Sequence, residues 1–208
     1  MRLAFAMLGF NRLAHFAELA DGGKLDSRVK QMVQLTNMPR PLRRVVARVL
    51  TTAGQRGLAQ GLALLDVRPD EHADVVAQLE RYRSRFAAAL DADGIDAVLL
   101  PACPVPAVRH GATKQLATIG SYALLWNALG YPAGVVPWTT VRPDEAGGRA
   151  RSIDAVTAAA RKAELGSAGL PIGVQLAAPH GQDHRVLALM DVVERAAIRL
   201  GEHPGHPR

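Results

Sequence analysis

The stretch that decides the fold is residues 121–137, SYALLWNALGYPAGVVP. Its first part belongs to a predicted helix over 118–129. Its second part begins a predicted strand at Pro132, where a proline needs no ladder donor, and the strand continues to Val141. Gly134 here, like Gly173 in a later apolar run, has no side chain and so permits close backbone approach. The stretch therefore predicts a helix, a tight turn and a strand.

Helices and strands also alternate on both sides of this stretch. The clearest helix of the sequence is predicted over 70–94, and an apolar run over 96–101 that ends in proline is typical of a buried strand. This alternation indicates an α/β layered sheet. Three further elements are predicted downstream: a small helix near 150–164, a strand over 169–176 and a helix over 183–200. The buried face of the clearest helix is predicted to carry Val75, Val76, Leu79, Tyr82, Phe86 and Leu90.

Only helices are predicted in residues 1–66. Besides an opening helix and a short segment near 27–36, one helix begins at Pro41, since a proline at the first helical position loses no hydrogen bond, and one covers 55–66. From Pro41 the apolar residues follow i, i+3, i+4, i+7, i+8 spacing, with arginines on the opposite side. The apolar residues are Leu42, Val45, Val46, Val49 and Leu50, and the arginines are Arg43, Arg44 and Arg48.

Three motifs in order resemble the amidase-signature family. Residues 96–104, DAVLLPACP, resemble the strand that these enzymes carry after a long helix, and 121–137 resemble their helix, turn and strand. Residues 169–176, GLPIGVQL, together with Asp183, are similar to their closing strand and helix. The resemblance covers residues 4–200 and is sharper after residue 95.

Two finer features resemble the fatty-acid-amide-hydrolase branch of that family. Residues 135–145, VVPWTTVRPDE, are similar to that branch after the proline at position 137. The basic helical stretch before Arg68 and Pro69 stands where those enzymes carry a membrane-facing helical cap. The resemblance implies no metal and no cofactor.

The resemblance implies an α/β fold that is the C-terminal part of the amidase-signature fold, a mixed sheet flanked by helices, with a helical segment at the N-terminus. It implies one incomplete domain over 1–208. Residues 1–66 are its helical segment, with the membrane-facing cap at 28–65, and residues 67–208 are its α/β part. The chain is then expected to begin partway through the family domain, as a truncated or split reading frame, or an internal start, would produce.

The resemblance also implies which catalytic groups to seek. Amidase-signature enzymes use a Ser-Ser-Lys triad beside a Gly/Ser-rich loop, because serine is a weak nucleophile until a base takes its proton. Ser121 and Ser167 are the nearest approaches to a glycine-flanked serine, but both align with non-catalytic parts and neither has the G-x-S-x-G pattern. None of the four lysines lies in a segment that resembles the catalytic-lysine region. We therefore assign no catalytic residue.

Alignment with the family suggests four residues of a substrate channel. Ala63 and Val67 fall near the mouth of the family's acyl channel, and Ala117 and Gly120 fall near its wall. Small residues at such places would make the channel wide or differently shaped.

The basic amphipathic stretch over 28–65 has two interpretations. In one, its arginines are solvated and its apolar stripe packs inward. In the other it is a monotopic surface, where arginines meet lipid phosphates and apolar side chains meet lipid. The side chains predicted to face the membrane are Val45, Val46, Val49 and Leu50. The stretch has no Trp, Tyr or Phe to anchor it at the interface.

Composition narrows the partners. The formal net charge of +6 suits an acidic partner such as anionic lipid. Aromatic residues make up only 4% of the sequence, and it has no stacking motif or zinc-ligand spacing, so we do not expect nucleic acid as a partner. The single cysteine, Cys103, excludes an intrachain disulfide and fits a reducing compartment. We expect a cytoplasmic protein with peripheral membrane association.

Three other polar features have simpler interpretations. His180 and His184 have the i, i+4 spacing of a helical metal pair, but no third ligand converges on them, so surface histidines are favoured. Cys103 lies between prolines without an assignable cationic partner, which favours a structural thiol. His203 and His206 lie in a Gly/Pro-rich tail that we expect to be frayed.

Two functions follow from the sequence. The first is the acyl-channel and scaffold part of an amide hydrolase for carboxylic or fatty acid amides, inactive alone, whose partner is the missing N-terminal amidase half or a second copy. The second is a non-enzymatic basic module that binds anionic lipid or a partner protein. In either case we expect the isolated chain to be unstable or to associate, because its sheet would have an unpaired edge.

Overall fold

A computed structural model of the protein describes residues 37–64, 72–116 and 119–205, together with Gly23, Lys30, Val33 and Gln34. The helix predicted at the start of the chain lies outside the described residues. The chain forms two compact units, Met1–Arg81 with Ser152–Thr157, and Tyr82–Arg151 with Ala158–Arg208.

The first unit contains a helical pair. Helix α1 (Arg40–Thr52) has Pro41 in its first turn, as the sequence predicts, and packs against α2 (Arg56–Leu64). The turn between them places Gly54 at φ 77°, a left-handed conformation that favours glycine. Helix α3 (His72–Ala92) begins in this unit, where Val75 and Leu79 are buried as predicted.

The second unit contains a three-stranded sheet. Its strands are β1 (Val98–Pro101), β2 (Ala133–Thr140) and β3 (Pro171–Ala177), in the spatial order β1-β3-β2 with both pairings antiparallel. All three strands lie where the sequence predicts strands, within two residues at each end. The α/β class is confirmed.

The helices of this region also match their predicted positions. They are α4 (Ser121–Leu129), α5 (Ala155–Glu164) and α6 (Asp183–Arg199), with a short 3-10 helix at Ala112–Lys114. Helix α4 ends in a tight turn at Gly130, φ 69°, where the Tyr131 N–H donates to Trp126 O and the Gly130 N–H donates to Asn127 O. This pair of bonds is the Schellman arrangement, and it turns the chain directly into β2.

Helix α6 covers one face of the sheet. It packs on β2 and β3, and its contact is apolar. A Cβ at Gly134 would overlap Met190 Sδ, so the element that approaches this glycine is α6, through side chains rather than through its backbone. The side chains of this core are Val136, Leu176, Ala178 and Val186, with Val174, Leu189, Met190 and Val193 packed around them.

An aromatic cluster covers the other face. Trp126 and Gln175 are 2% and 5% exposed, and the indole Nε1–H donates to Gln175 Oε1 at 2.9 Å. Tyr131 stacks on Trp126, and Phe86 meets both rings edge-on. Burial, and secondarily the charge of Asp91, raise the pKa of the Tyr131 hydroxyl. The predicted packing role of Trp126 is confirmed, and its polar atom has a buried partner.

Two local predictions are wrong. Tyr82 was expected on the buried face of α3 but is 40% exposed, with its ring centroid 6.1 Å from that of Phe86. The tail was expected to fray, yet it is folded as far as Gly205: Glu202 N–H donates to Ala197 O, and Glu202 Oε2 accepts from Thr139 Oγ1 at 2.7 Å. His206 lies outside the described residues.

Candidate functional site

The predicted membrane-facing residues lie on α1 and divide between two environments. Val45 and Val49 are 57% and 59% exposed, whereas Val46 and Leu50 are half-buried. Leu42 is also exposed, so it joins Val45 and Val49 in what we call the α1 ridge. Residues three, four and seven apart share one side of a helix, so the three side chains form a continuous apolar strip.

The arginines of α1 are also divided. Arg44 and Arg48 are exposed on the same helix as the α1 ridge, away from its apolar side chains. Arg43 is only 5% exposed, and one of its terminal nitrogens donates to Met38 O at 2.9 Å, so its expected place on a solvated face is wrong. The side of α1 that faces inward lies between its apolar stripe and its arginines. Arg43 is on that side and is therefore buried.

The predicted channel residues are described only in part. Ala63 is exposed on α2 in the first unit, and Gly120 is exposed at the residue before α4 in the second unit. Val67 and Ala117 lie outside the described residues. The channel assignment therefore stays a prediction.

The two serines nearest to a glycine-flanked pattern have different surroundings. Ser167 is almost fully buried, and its hydroxyl donates to Glu164 O at 2.7 Å, which closes the chain reversal after α5. Ser121 is the first residue of α4 and is half-buried. The Ser167 hydroxyl thus has a structural role in satisfying a carbonyl at the C-terminus of a helix.

The other polar candidates are explained by local contacts. His180 Nδ1 lies 2.8 Å from Gly130 O, so this ring donates to the turn after α4. Within the part of the chain that the structure describes, no three His, Cys, Asp or Glu side chains are grouped to hold a metal ion. Cys103 is exposed at the end of β1, with its Sγ 4.0 Å from Ile119 O.

The loop after β2 contains an ion pair between Arg142 and Glu145. Arg142 donates to Glu145 through its backbone N–H at 3.0 Å and through its guanidinium at 2.7 Å. These hydrogen bonds, the backbone one first, lower the pKa of the Glu145 carboxyl. Both side chains are exposed, so this pair shapes the loop more than it stabilises the fold.

The sequence interpretation missed Asp154, whose carboxylate accepts hydrogen bonds from two separate segments of the chain. Asp154 is buried just before α5 and accepts hydrogen bonds from Thr157 N at 2.9 Å and from Gly57 N, in the first turn of α2, at 2.8 Å. These two backbone bonds lower the pKa of the Asp154 carboxyl. An aspartate directly before a helical segment is a helix-capping signal, but nothing in the local sequence indicates the bond to α2.

Gln55 makes the reciprocal contact from the other helix. It precedes α2, and its side-chain amide accepts from Ala155 N at 2.8 Å and donates to Ile153 O at 2.6 Å. Thr157 Oγ1 also donates to Asp154 Oδ1, at 3.0 Å. We call these five side-chain hydrogen bonds of Gln55 and Asp154 the α2–α5 clasp. All of its residues belong to the first unit.

The elements described above form part of an α/β fold in which a small antiparallel sheet is sandwiched between a closing helix and an aromatic cluster. The Amidase family matches residues 13–187 of this chain. Because that match covers most of the chain, the protein belongs to the amidase family.

Two of the relatives that this chain resembles are named fatty acid amide hydrolases. The chain is 31% identical to fatty-acid amide hydrolase 1 of Sus scrofa over 184 residues, which are 84% of this chain and 31% of the relative. It is 36% identical to fatty acid amide hydrolase 1 of Caenorhabditis elegans over 126 residues, which are 59% of this chain and 22% of the relative. The chain thus spans less than a third of the length of either relative. Both similarities confirm the resemblance to the fatty-acid-amide-hydrolase branch.

No helix among the described residues is long and apolar enough to cross a membrane.

Proposed function

We propose that this chain is the C-terminal acyl-channel and scaffold part of an amide hydrolase that acts on carboxylic or fatty acid amides. The observation that carries the proposal is the match to fatty-acid amide hydrolase 1 of Sus scrofa, which covers 84% of this chain but 31% of that protein. A segment of this size would contribute walls and support to a site whose reacting groups lie elsewhere in the enzyme.

Hydrolysis of an amide requires an activated nucleophile and preorganised donors for the oxyanion. We assign neither to these 208 residues, and the Ser167 hydroxyl is engaged with a backbone carbonyl. We therefore propose that the chain is inactive alone. A Ser-Ser-Lys triad would come from an N-terminal amidase half, which is the partner that this function requires.

The scaffold role fits the sheet and its two cores. In this proposal the sheet and the aromatic cluster hold the second unit rigid. The channel residues are those that the alignment with the family suggests: Ala63 and Val67 in the first unit, and Ala117 and Gly120 in the second. Small side chains at Ala63, Ala117 and Gly120 would make such a channel wide or differently shaped.

The test is a pair of proteins assayed with short and long acyl amides. The first is this chain alone, for which we expect no turnover. The second is a chimera in which the 208 residues replace the matching segment of the Sus scrofa relative, for which we expect hydrolysis. Turnover by the chain alone would contradict the proposal. So would an inactive chimera whose circular dichroism and labelling by a serine-directed phosphonate match those of the parent enzyme.

A second function is favoured by the α1 ridge: binding of an anionic membrane surface as a peripheral protein. Leu42, Val45 and Val49 are exposed on the same helix as the exposed Arg44 and Arg48. Burial of apolar surface contributes about 25 cal/mol per Å², and each arginine near an anionic bilayer adds about 1 kcal/mol that salt screens. Lipid binding would be compatible with either a hydrolase part or a non-enzymatic module.

Matched variants of α1 separate lipid contact from folding. Replacing Val45 and Val49 with Glu should weaken binding to anionic liposomes at every salt concentration and leave helix content unchanged. Replacing Val46 and Leu50 with Glu should reduce helix content, since these side chains are half-buried. Replacing Arg44 and Arg48 with Gln should weaken binding mainly at low salt. Co-sedimentation and circular dichroism on the same samples measure both effects, and a folded parent chain that stays in the supernatant at low salt would exclude lipid binding.

A further inference from the structure

The α2–α5 clasp joins two helix N-termini that are far apart in sequence. The first N–H groups of a helix have no intrahelical partner and need acceptors. In this protein each helix takes an acceptor from the segment of the other: Gly57 N of α2 bonds to Asp154, and Ala155 N of α5 bonds to Gln55. The bonded residues are 97 and 100 positions apart.

The backbone is shaped to bring these two segments together. A Cβ built on Gly57 would lie 2.7 Å from Val156, and a Cβ built on Gly54 would lie 2.5 Å from Ile153 Cδ1. The Val156 Cβ cannot move without its backbone, so the contact requires glycine at position 57. Ile153 Cδ1 ends a flexible, exposed side chain, so position 54 requires glycine because of its left-handed φ of 77° instead. Two glycines on one segment therefore face two branched side chains on the other, around the hydrogen bonds of the clasp.

The clasp has a buried charge at its centre. Asp154 is buried, and a carboxylate that leaves water needs hydrogen bonds to replace those of its hydration shell. Gly57 N and Thr157 N supply them to separate oxygens, Oδ2 and Oδ1. Because one carboxylate serves both helices, separation of the two segments would break a charge-assisted hydrogen bond at the N-terminus of α2.

We propose that the α2–α5 clasp is a latch that holds the Ser152–Thr157 segment against the α1–α2 pair, and that its opening frees the pair as one cooperative unit. Helix α1 packs on α2 and precedes it by a single turn, so release of the α2 N-terminus loosens both helices. This latch does not depend on the hydrolase or on lipid binding. It is a conformational device of the first unit.

Two replacements of Asp154 distinguish a latch from an ordinary helix cap. Serine at 154 caps α5 well, but its side chain is one atom shorter and cannot also bond to Gly57 N. Alanine at 154 removes both bonds. A latch predicts that Asp154→Ser already frees α1 and α2, whereas a simple cap predicts that Asp154→Ser behaves as the parent protein and only Asp154→Ala changes, and then in α5 alone.

The measurement is amide hydrogen exchange of the full chain at neutral pH, followed by mass spectrometry of peptides from α1–α2, α5 and β3. Loss of a hydrogen bond to a charged group is expected to speed exchange in α1–α2 by about tenfold or more in Asp154→Ser and in Gln55→Ala. Asp144→Ser, in the exposed loop after β2, is the matched control and should leave exchange unchanged. Unchanged α1–α2 exchange in Asp154→Ser would overturn the latch, and so would equal acceleration in β3, which would indicate global unfolding.

Discussion

The burial of Trp126 requires a hydrogen-bond acceptor inside the protein, and Gln175 provides it. An indole contributes a large apolar area, but its N–H needs an acceptor once water is excluded. Gln175 lies on the central strand β3, on the face that Trp126 covers, and supplies that acceptor. The motif GLPIGVQL therefore contains one polar residue whose place is set by a tryptophan 49 positions earlier.

Replacing Gln175 with Leu should lower the free energy of unfolding by about 1–3 kcal/mol, because the indole N–H then stays buried without an acceptor. Trp126→Phe should also destabilise the protein, through lost packing and an orphaned amide. The double variant should lose less than the sum of the two, since both polar groups are absent. Urea unfolding followed by circular dichroism measures all four proteins. Strict additivity would show that the hydrogen bond contributes nothing.

Asp154 should make stability depend on pH in acid. Its folded pKa lies below the ordinary value of 3.8, so in the intervening range the unfolded chain binds more protons than the folded one. Its contribution is therefore complete above pH 3.8 and is lost as the pH falls through the lower, folded pKa. Asp154→Asn does not titrate, and its single carbonyl oxygen can accept on one side only, from Thr157 or from Gly57.

The difference in unfolding free energy between the parent and Asp154→Asn is the quantity to measure, at pH values on both sides of 3.8. It should be constant at higher pH and shrink in acid, because the other carboxyl groups titrate in both proteins and cancel. A difference that grows as the pH falls would contradict the assigned direction of the pKa shift.

Helix α2 carries two glycines with opposite expected responses to alanine. Gly61 has no atom within 4 Å of a built Cβ, so Gly61→Ala should stabilise the protein by about 0.5–1 kcal/mol through helix propensity alone. Gly57 faces Val156 at 2.7 Å, so Gly57→Ala should destabilise it despite the same gain in propensity. The two melting temperatures, each compared with that of the parent, should shift in opposite directions. Equal shifts would show that α2 does not approach the segment before α5 this closely.

The extent of each helix and strand was predictable because it depends on nearby residues. Apolar periodicity, Pro41 at a helix start and Gly134 in a strand each act within a few positions, and the observed elements agree. The partners of these elements were not predictable in the same way. The order β1-β3-β2, the bond from Gln175 to Trp126 and the α2–α5 clasp join residues tens of positions apart, and single-sequence periodicity carries no signal for such pairs.

The burial of Arg43 shows that the sequence also could not predict which side of α1 faces inward. Helical spacing correctly separates the apolar residues of α1 from its arginines, but spacing alone does not determine which direction is inward. Packing against α2 sets that direction, and it divides the predicted stripe into a half-buried pair and an exposed ridge. The sequence therefore suggested the correct helix and only part of its exposed side.

The two outer strands of the sheet determine how the molecule should behave in solution. Strands β1 and β2 each pair with β3 on one side only, within the sheet that the structure describes. Leu99 on β1 is 57% exposed, and Val135 on β2 is exposed as well. Pro137 removes one donor from β2, which protects part of that edge, but β1 has its only proline at its end.

We therefore expect this chain to self-associate with rising concentration, through strand edges that combine free backbone groups with apolar side chains. Replacing Leu99 and Val135 with Lys should reduce the association, because a charge at an edge opposes the approach of a second sheet. Leu187→Lys, at an exposed position of α6, adds the same charge away from any strand and should have no effect. Sedimentation velocity over a concentration series measures the change, with circular dichroism to verify that each variant is folded. A parent chain that remains monomeric throughout and binds no hydrophobic dye would contradict this account, and an equal effect of Leu187→Lys would attribute the change to net charge instead of to the edges.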